Sequence, residues 1–161
     1  MHPEDDTSTL ERNELRDDLE ILVDGYFKTK WENHAAAYLI RYGYIAVRSA
    51  DQFERYTRAS AALSSRTMGQ DDFEELLLAD SVLVAERQSD GSAVYLVCVV
   101  QARLRAVDIR SATLGASAAT RIDGSPGVAI AAGASIDDIA AALAEREGVT
   151  VIIPQSWRKS A

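Results

Sequence analysis

Residues 80–101 constrain the fold more than any other part of this chain, and they read DSVLVAERQSDGSAVYLVCVVQ. Residues 81–85 form a short apolar run. The Asp90-Gly91 step that follows tolerates the positive φ angles of a tight hairpin turn. Residues 94–100 are apolar without interruption, which is typical of a strand covered on both faces. The pattern predicts a hairpin whose second strand lies at the centre of a sheet.

The other strands and helices are predicted from apolar runs separated by glycine, proline and capping residues. We expect further strands at 44–47, 128–132 and 149–153, and helices at 27–42, 102–120 and 136–147, the last capped by Ser135. A helix between the last two strands makes them parallel neighbours. The sequence therefore predicts an α/β fold with a mixed sheet of about five strands flanked by helices. The sequence pattern of residues 48–70 predicts no definite secondary structure.

The N-terminal segment, residues 1–25, has the pattern of an acidic amphipathic helix. Residues 1–33 contain ten acidic and four basic residues, a balance of −6 within a net charge of −8 for the chain. The apolar positions come close to a coiled-coil seam, and they are Leu10, Leu15, Leu19, Leu22 and Tyr26. We expect this helix to form a homodimer. The chain then divides into this helix, a domain at 26–154 and a tail at 155–161.

A family resemblance begins at the hairpin, where Asp80 opens one strand and the next strand ends at Gln101. This arrangement resembles the PD-(D/E)XK, or restriction-endonuclease-like, superfamily. The stretch LLLADSVLVAERQSDGSAVYLVCVVQARLRAVDIRSA is similar to uncharacterised bacterial proteins that join a coiled coil to a nuclease-like domain. In active nucleases of this superfamily, an Asp and a Glu hold Mg²⁺ and a Lys orients the attacking water. The resemblance places the Asp at Asp80, the Glu at Val99 and the Lys at Gln101.

The resemblance leaves three functions open. The first is a catalytically degenerate, nuclease-fold protein that acts as a binding or assembly module. The second is a surviving Mg²⁺-dependent nuclease that uses Asp80, Gln101 and Glu32, since an acid on the first helix often joins the site in this fold. The third is a protein scaffold without affinity for nucleic acid. No acid occurs in residues 93–101, and this favours the first function, which requires no cofactor.

Basic residues are most concentrated after Gln101. The candidates for binding phosphate or nucleic acid are Arg103, Arg105, Arg110 and Arg121. Arginine binds phosphate bidentately, but these side chains could equally pair with an acidic helix or face water. Binding through them would weaken steeply with salt.

Sequence motifs that are typical of several other functional classes are absent from this chain. No GxxxxGK[ST] or GxGxxG phosphate loop is present, and the two histidines, His2 and His34, both precede the sheet. The single cysteine, Cys98, lies in the most apolar strand and is expected to be an inert core residue. We find no signal-peptide pattern and no apolar stretch of membrane-spanning length, so we expect a cytoplasmic protein.

Overall fold

The computed structural model describes the backbone of residues 3–158 and the side chains of residues 8–51 and 54–158. The strands are β1 Tyr44–Ser49, β2 Ser81–Arg87, β3 Ala93–Val100, β4 Arg103–Leu104, β5 Gly127–Ala132, β6 Ser135–Ile136 and β7 Thr150–Ile152. The helices are α1 Pro3–Leu39, α2 Gln52–Ser64, α3 Gln70–Leu78, α4 Ala106–Asp123, α5 Asp138–Glu147 and α6 Gln155–Arg158. In this described part, no helix is both long and apolar enough to span a membrane.

The main sheet has five strands in the order β1-β2-β3-β5-β7. Strands β1, β2 and β3 are antiparallel neighbours, whereas β3, β5 and β7 run parallel to one another. The predicted hairpin, the central position of its second strand and the parallel edge formed by the last two strands are all confirmed. The chain has an α/β fold with a mixed five-stranded sheet flanked by helices, as its sequence predicts.

Alternate residues of β3 face two separate hydrophobic cores. Val94, Leu96, Cys98 and Val100 pack on the side of α1, and Tyr95, Val97 and Val99 pack on the side of α4. From Ala93 onward every residue of β3 except the first is buried. This burial on both faces accounts for the unbroken apolar run, because an exposed face would carry polar residues at every second position.

Helix α1 is continuous from Pro3 to Leu39 and passes through Gly25 without a break. Its second half packs on the sheet through Phe27, Trp31, Ala35 and Leu39, which follow the i, i+4 spacing of a buried helix face. The apolar side chains of the first half are exposed. One helix therefore joins the acidic N-terminal segment to the core of the domain.

Three sequence-based predictions need correction. The predicted helix at 102–120 begins later, at Ala106, because Arg103–Leu104 pairs with Ser135–Ile136 as a separate two-stranded sheet. For the same reason Ser135 does not cap α5. The cap is Asp137, whose carboxylate accepts a hydrogen bond from the backbone N–H of Ala140 at 2.8 Å.

The predicted tail is wrong for residues 155–158, which form α6. Trp157 is fully buried, and its ring lies 4.9 Å from that of Phe27. Its Nε1 donates a hydrogen bond to the Tyr38 hydroxyl at 3.2 Å. The burial of this tryptophan holds the C-terminal segment against α1. Residues 159–161 of the predicted tail lie outside the described part.

Candidate functional site around Asp80

Asp80 lies at the edge of the sheet where β2 begins and the parallel strands end. Ser81 pairs with Cys98 in the antiparallel register, so Asp80 lies beside the last residues of β3. One carboxylate oxygen, Oδ2, accepts a hydrogen bond from the backbone N–H of Val100 at 2.8 Å. The structure therefore places Asp80 next to Val99 and Gln101, the two positions that the resemblance assigns to Glu and Lys.

The other oxygen of Asp80 is bound by a lysine of α1. Lys28 Nζ lies 3.0 Å from Asp80 Oδ1, and both side chains are partly buried. No sequence motif marks Lys28 as a site residue. The signal for it is local: Lys28 directly follows the buried Phe27, so it lies beside the helix face that contacts the sheet.

Gln101 is held by a second acid of α1 rather than by Asp80. With its amide oriented to satisfy its hydrogen bonds, Gln101 donates to Asp24 Oδ2 at 2.8 Å. Asp24 Oδ1 also accepts from the backbone N–H of Ala102 at 2.7 Å. Asp24 and Lys28 are four residues apart and lie on the same face of α1. Together they bind this helix to the residues on either side of the end of β3.

A third carboxylate, Asp108, belongs to the first turn of α4. It accepts a hydrogen bond from the backbone N–H of Arg105 at 2.8 Å, as part of a capping box. Burial raises the pKa of Asp108 above its ordinary value, and the charges of Asp24 and Asp80 raise it further. Negative charge is thus concentrated at this edge of the sheet, where Lys28 contacts Asp80.

Asp80 lines two different cavities. The first, of about 250 Å³, is also lined by Val99, Gln101 and Asp108. The second, of about 340 Å³, is lined by Glu32 on the side of α1. Glu32 and Gln101, proposed from the sequence as partners of Asp80 in catalysis, therefore line different cavities. Among the described side chains, no group of three His, Cys, Asp or Glu residues could hold a metal ion.

The second cavity is also lined by Arg55, which no sequence motif marks as a site residue. Arg55 of α2 is buried beside Asp80 and donates from Nη1 to the backbone carbonyl of Ala79 at 2.8 Å. Burial lowers the pKa of Arg55, while the Asp80 carboxylate acts in the opposite direction. Residues 48–70 carry no periodicity that would predict a buried arginine. Arg55 is buried because α2 packs against the segment just before β2, where its guanidinium binds the carbonyl of Ala79.

The four arginines proposed to bind phosphate do not form one patch. Arg105 pairs with Glu20 of α1 at 3.2 Å, and Arg121 pairs with Asp72 of α3. These two arginines are sixteen residues apart along α4, which corresponds to about 24 Å. Arg103 and Arg110 are exposed. These arginines were expected to bind phosphate, pair with an acidic helix or face water. Arg105 pairs with an acidic helix, and that helix is α1 of the same chain.

Cys98 is fully buried in β3. Burial raises its pKa to about 12, so the thiol remains protonated at neutral pH. This agrees with the expected role as an inert core residue.

No protein-family model and no curated protein matches this chain. The structure of EndoMS in its apo form is similar to part of it, with 21% sequence identity and a TM-score of 0.37. The similar region covers 46% of this chain and 32% of the EndoMS chain, so this chain matches about a third of that protein.

Proposed function

We propose that this protein is a catalytically inactive, nuclease-fold module for binding or assembly. The observation that carries the proposal is the contact between Lys28 and Asp80. In the superfamily that the hairpin resembles, the corresponding Asp holds Mg²⁺. Here the ammonium group of Lys28, 3.0 Å from Asp80 Oδ1, supplies the positive charge that a metal ion would supply. The remaining oxygen is bound by the backbone N–H of Val100.

The two neighbouring positions support the same proposal. Val99 is buried and apolar, and offers no ligand to a metal. Gln101 is neutral, and its amide binds Asp24. The residues present do not fit Mg²⁺, which requires oxygen ligands in octahedral geometry. Removing a single electrostatic element from an active site costs about 10²–10³ in rate, and here two such elements are replaced.

Assembly is supported by the exposed apolar stripe of α1, which we define as Leu15, Leu19, Leu22 and Tyr26. These residues follow the 4, 3, 4 spacing of a coiled-coil seam, and each is exposed in the single chain. We propose that two copies of the protein pair through this stripe. Residues 1–33 carry a net charge of −6, so the paired helices repel each other. Added salt should therefore strengthen the dimer by screening this repulsion.

Cleavage assays test the inactive state directly. We expect no cleavage of duplex DNA, single-stranded DNA or RNA above background with Mg²⁺ or Mn²⁺, for the native protein and for Asp80→Ala alike. Cleavage by the native protein that Asp80→Ala abolishes would refute the proposal. Because both forms are assayed from the same preparation scheme, a contaminating nuclease would show equal activity in both.

A further inference from the structure

A further cavity, of about 280 Å³, lies between the C-terminal end of α1 and the segment that follows β7. Its basic residues are Arg41, in the single turn of 3₁₀ helix Ile40–Tyr42 that follows α1, and Arg158, at the end of α6. Among the described side chains, no acidic residue lines it, although the whole chain carries a net charge of −8. In this respect it differs from both cavities beside Asp80, which are lined by several carboxylates.

Both arginines are available to a ligand. Arg41 and Arg158 are exposed, and neither forms an ion pair with another residue in the described part of the chain. Arg105 and Arg121, by contrast, are each paired with a carboxylate. A single unpaired arginine is ordinary on a protein surface. Two that line one cavity without a carboxylate between them offer a set of hydrogen-bond donors that suits an anion.

The wall of this cavity is held in place by buried residues. The Tyr38 hydroxyl, which belongs to the lining, accepts a hydrogen bond from Trp157 Nε1 at 3.2 Å, and the two rings lie 5.9 Å apart. Trp157 is fully buried, and Pro154 of the lining is buried as well. The backbone segments that carry Arg41 and Arg158 are therefore already ordered by the core, so a ligand does not have to order them.

The charge of the cavity favours a phosphate monoester over a carboxylate. Arg41 and Arg158 together contribute +2, and a phosphate monoester carries about −1.5 to −2 at pH 7. Its three terminal oxygens can accept bidentate hydrogen bonds from both guanidinium groups, whereas a carboxylate has only two oxygens. A singly charged anion would leave one guanidinium charge without compensation.

Tyr42 indicates what the phosphate is attached to. Its side chain is 45% exposed and lines the cavity next to Arg41. A tyrosine ring can stack on any nucleobase, because every base offers an aromatic face. We propose that this cavity binds a nucleoside monophosphate, with the phosphate on Arg41 and Arg158 and the base on Tyr42. The inference does not rest on the proposed inactivity or dimerisation, since neither involves these three residues.

The size of the cavity limits the ligand to one nucleotide. Its volume, about 280 Å³, lies near the lower end of the range of ligand pockets, roughly 300–1,000 Å³. A free nucleotide and the 5′-terminal nucleotide of a single strand would make the same contacts, and the two sources are separated by experiment.

Calorimetric titration of the full chain at low salt tests the site with three probes: adenosine 5′-monophosphate, adenosine and inorganic phosphate. We expect the monophosphate to bind at least about tenfold more tightly than either of the others, because only it contacts the arginines and Tyr42 together. Inorganic phosphate that binds as tightly would show an anion site without a base contact. Adenosine that binds as tightly would exclude the arginines. Either result, or no binding of the monophosphate, would overturn the proposal.

Single-stranded DNA decamers with and without a 5′-phosphate identify the source of the nucleotide. A phosphorylated decamer that binds about as tightly as the monophosphate supports a strand end, and its exclusion supports a free nucleotide. Equal binding of both decamers would indicate contacts with internal phosphates of the strand, and the assignment of a monoester would then be wrong.

Arg41→Gln and Arg158→Gln test the phosphate contacts. Both side chains are exposed, so the fold should be unaffected. Each variant should weaken binding of the monophosphate about tenfold or more. The control of equal charge change is Arg146→Gln, an exposed arginine of α5 on the opposite face of the sheet. If Arg146→Gln weakens binding as much, the effect is one of net charge and the assigned contacts are refuted.

Tyr42→Leu tests the stacking contact, because it keeps an apolar side chain and removes the aromatic ring. It should weaken binding of the monophosphate about fivefold or more and leave that of inorganic phosphate unchanged. Tyr56→Leu, at an exposed tyrosine of α2 outside this cavity, is the matched control and should bind as the native protein does. Equal affinity for the monophosphate in Tyr42→Leu and the native protein would show that the base does not lie on Tyr42.

Discussion

Truncating the exposed stripe of α1 should separate two copies of the protein without unfolding either one. The double variant Leu15→Ala/Leu22→Ala removes two leucine side chains that are 68% and 72% exposed in the single chain. Burying a whole leucine side chain contributes about 1.5–3 kcal/mol, so each truncation at this exposure removes about 1 kcal/mol from a dimer. Four truncated side chains per dimer give about 4 kcal/mol, which weakens association by about 10³-fold.

The stability of the single chain should hardly change, because substitutions at exposed positions stay within about 0.5 kcal/mol. Sedimentation equilibrium measures the association, and urea denaturation measures the free energy of unfolding. The matched control is Ile21→Ala. This isoleucine is 69% exposed but lies about 100° or more around the helix from Leu15 and Leu22, at about 100° per residue. The reasoning is refuted if Ile21→Ala weakens association as much as the double variant, or if the native protein is monomeric at every concentration tested.

Three further substitutions test the packing around the site. Lys28→Met keeps the aliphatic stem but removes the ammonium group that pairs with Asp80. It should lower the free energy of unfolding in urea by about 1 kcal/mol, and an unchanged value would show that the pair contributes nothing. Asp108 has a raised pKa in the folded state, so the native protein loses stability as pH rises through that pKa. Asp108→Asn avoids this loss, and its advantage should grow from pH 4 to pH 7; a difference independent of pH would contradict the assignment. Gly127→Ala would place a methyl group against the carbonyl oxygen of Ala116 and should cost about 1–3 kcal/mol, measured by thermal unfolding, whereas a native melting temperature would mean that α4 moves aside freely.

The sequence predicts the sheet because its signals are local. The apolar run at 94–100 is short, rich in valine and preceded by a turn, which favours a strand covered on both faces, and a helix between two strands favours parallel pairing. The two-residue strands β4 and β6 carry no such signal, since two residues show no periodicity. Because these strands occupy residues 103–104 and 135–136, α4 and α5 begin later than the sequence predicts. The position of Asp80 beside Gln101 likewise follows from the hairpin register alone.

The remainder of the site depends on contacts between distant parts of the chain. Lys28 reaches Asp80, and Asp24 reaches Gln101, only because α1 lies across the end of β3. In the sequence these residues look like ordinary charges on a helix. The same is true of Arg55, whose burial follows from the packing of α2 against the start of β2. Such pairings depend on the tertiary arrangement, which a single sequence does not encode in a readable pattern.

An acid at the opening of β2 can be accommodated in this fold by contacts within the chain. A partly buried carboxylate needs a counter-charge and hydrogen-bond donors. Asp80 obtains both from its own chain, through Lys28 and the backbone of Val100. The same contacts hold α1 on the sheet while its first half extends away with an exposed apolar stripe. These contacts give Asp80 a structural role where α1 meets the sheet.

Calorimetric titration of Mg²⁺ and Mn²⁺ tests the central claim most directly. The proteins to compare are the native chain and Asp80→Ala, at equal concentration and neutral pH. We expect no binding heat in either, because the Asp80 carboxylate is already neutralised by Lys28 and has no second carboxylate at Val99. Stoichiometric binding to the native protein that is lost in Asp80→Ala would contradict the account and identify Asp80 as a metal ligand.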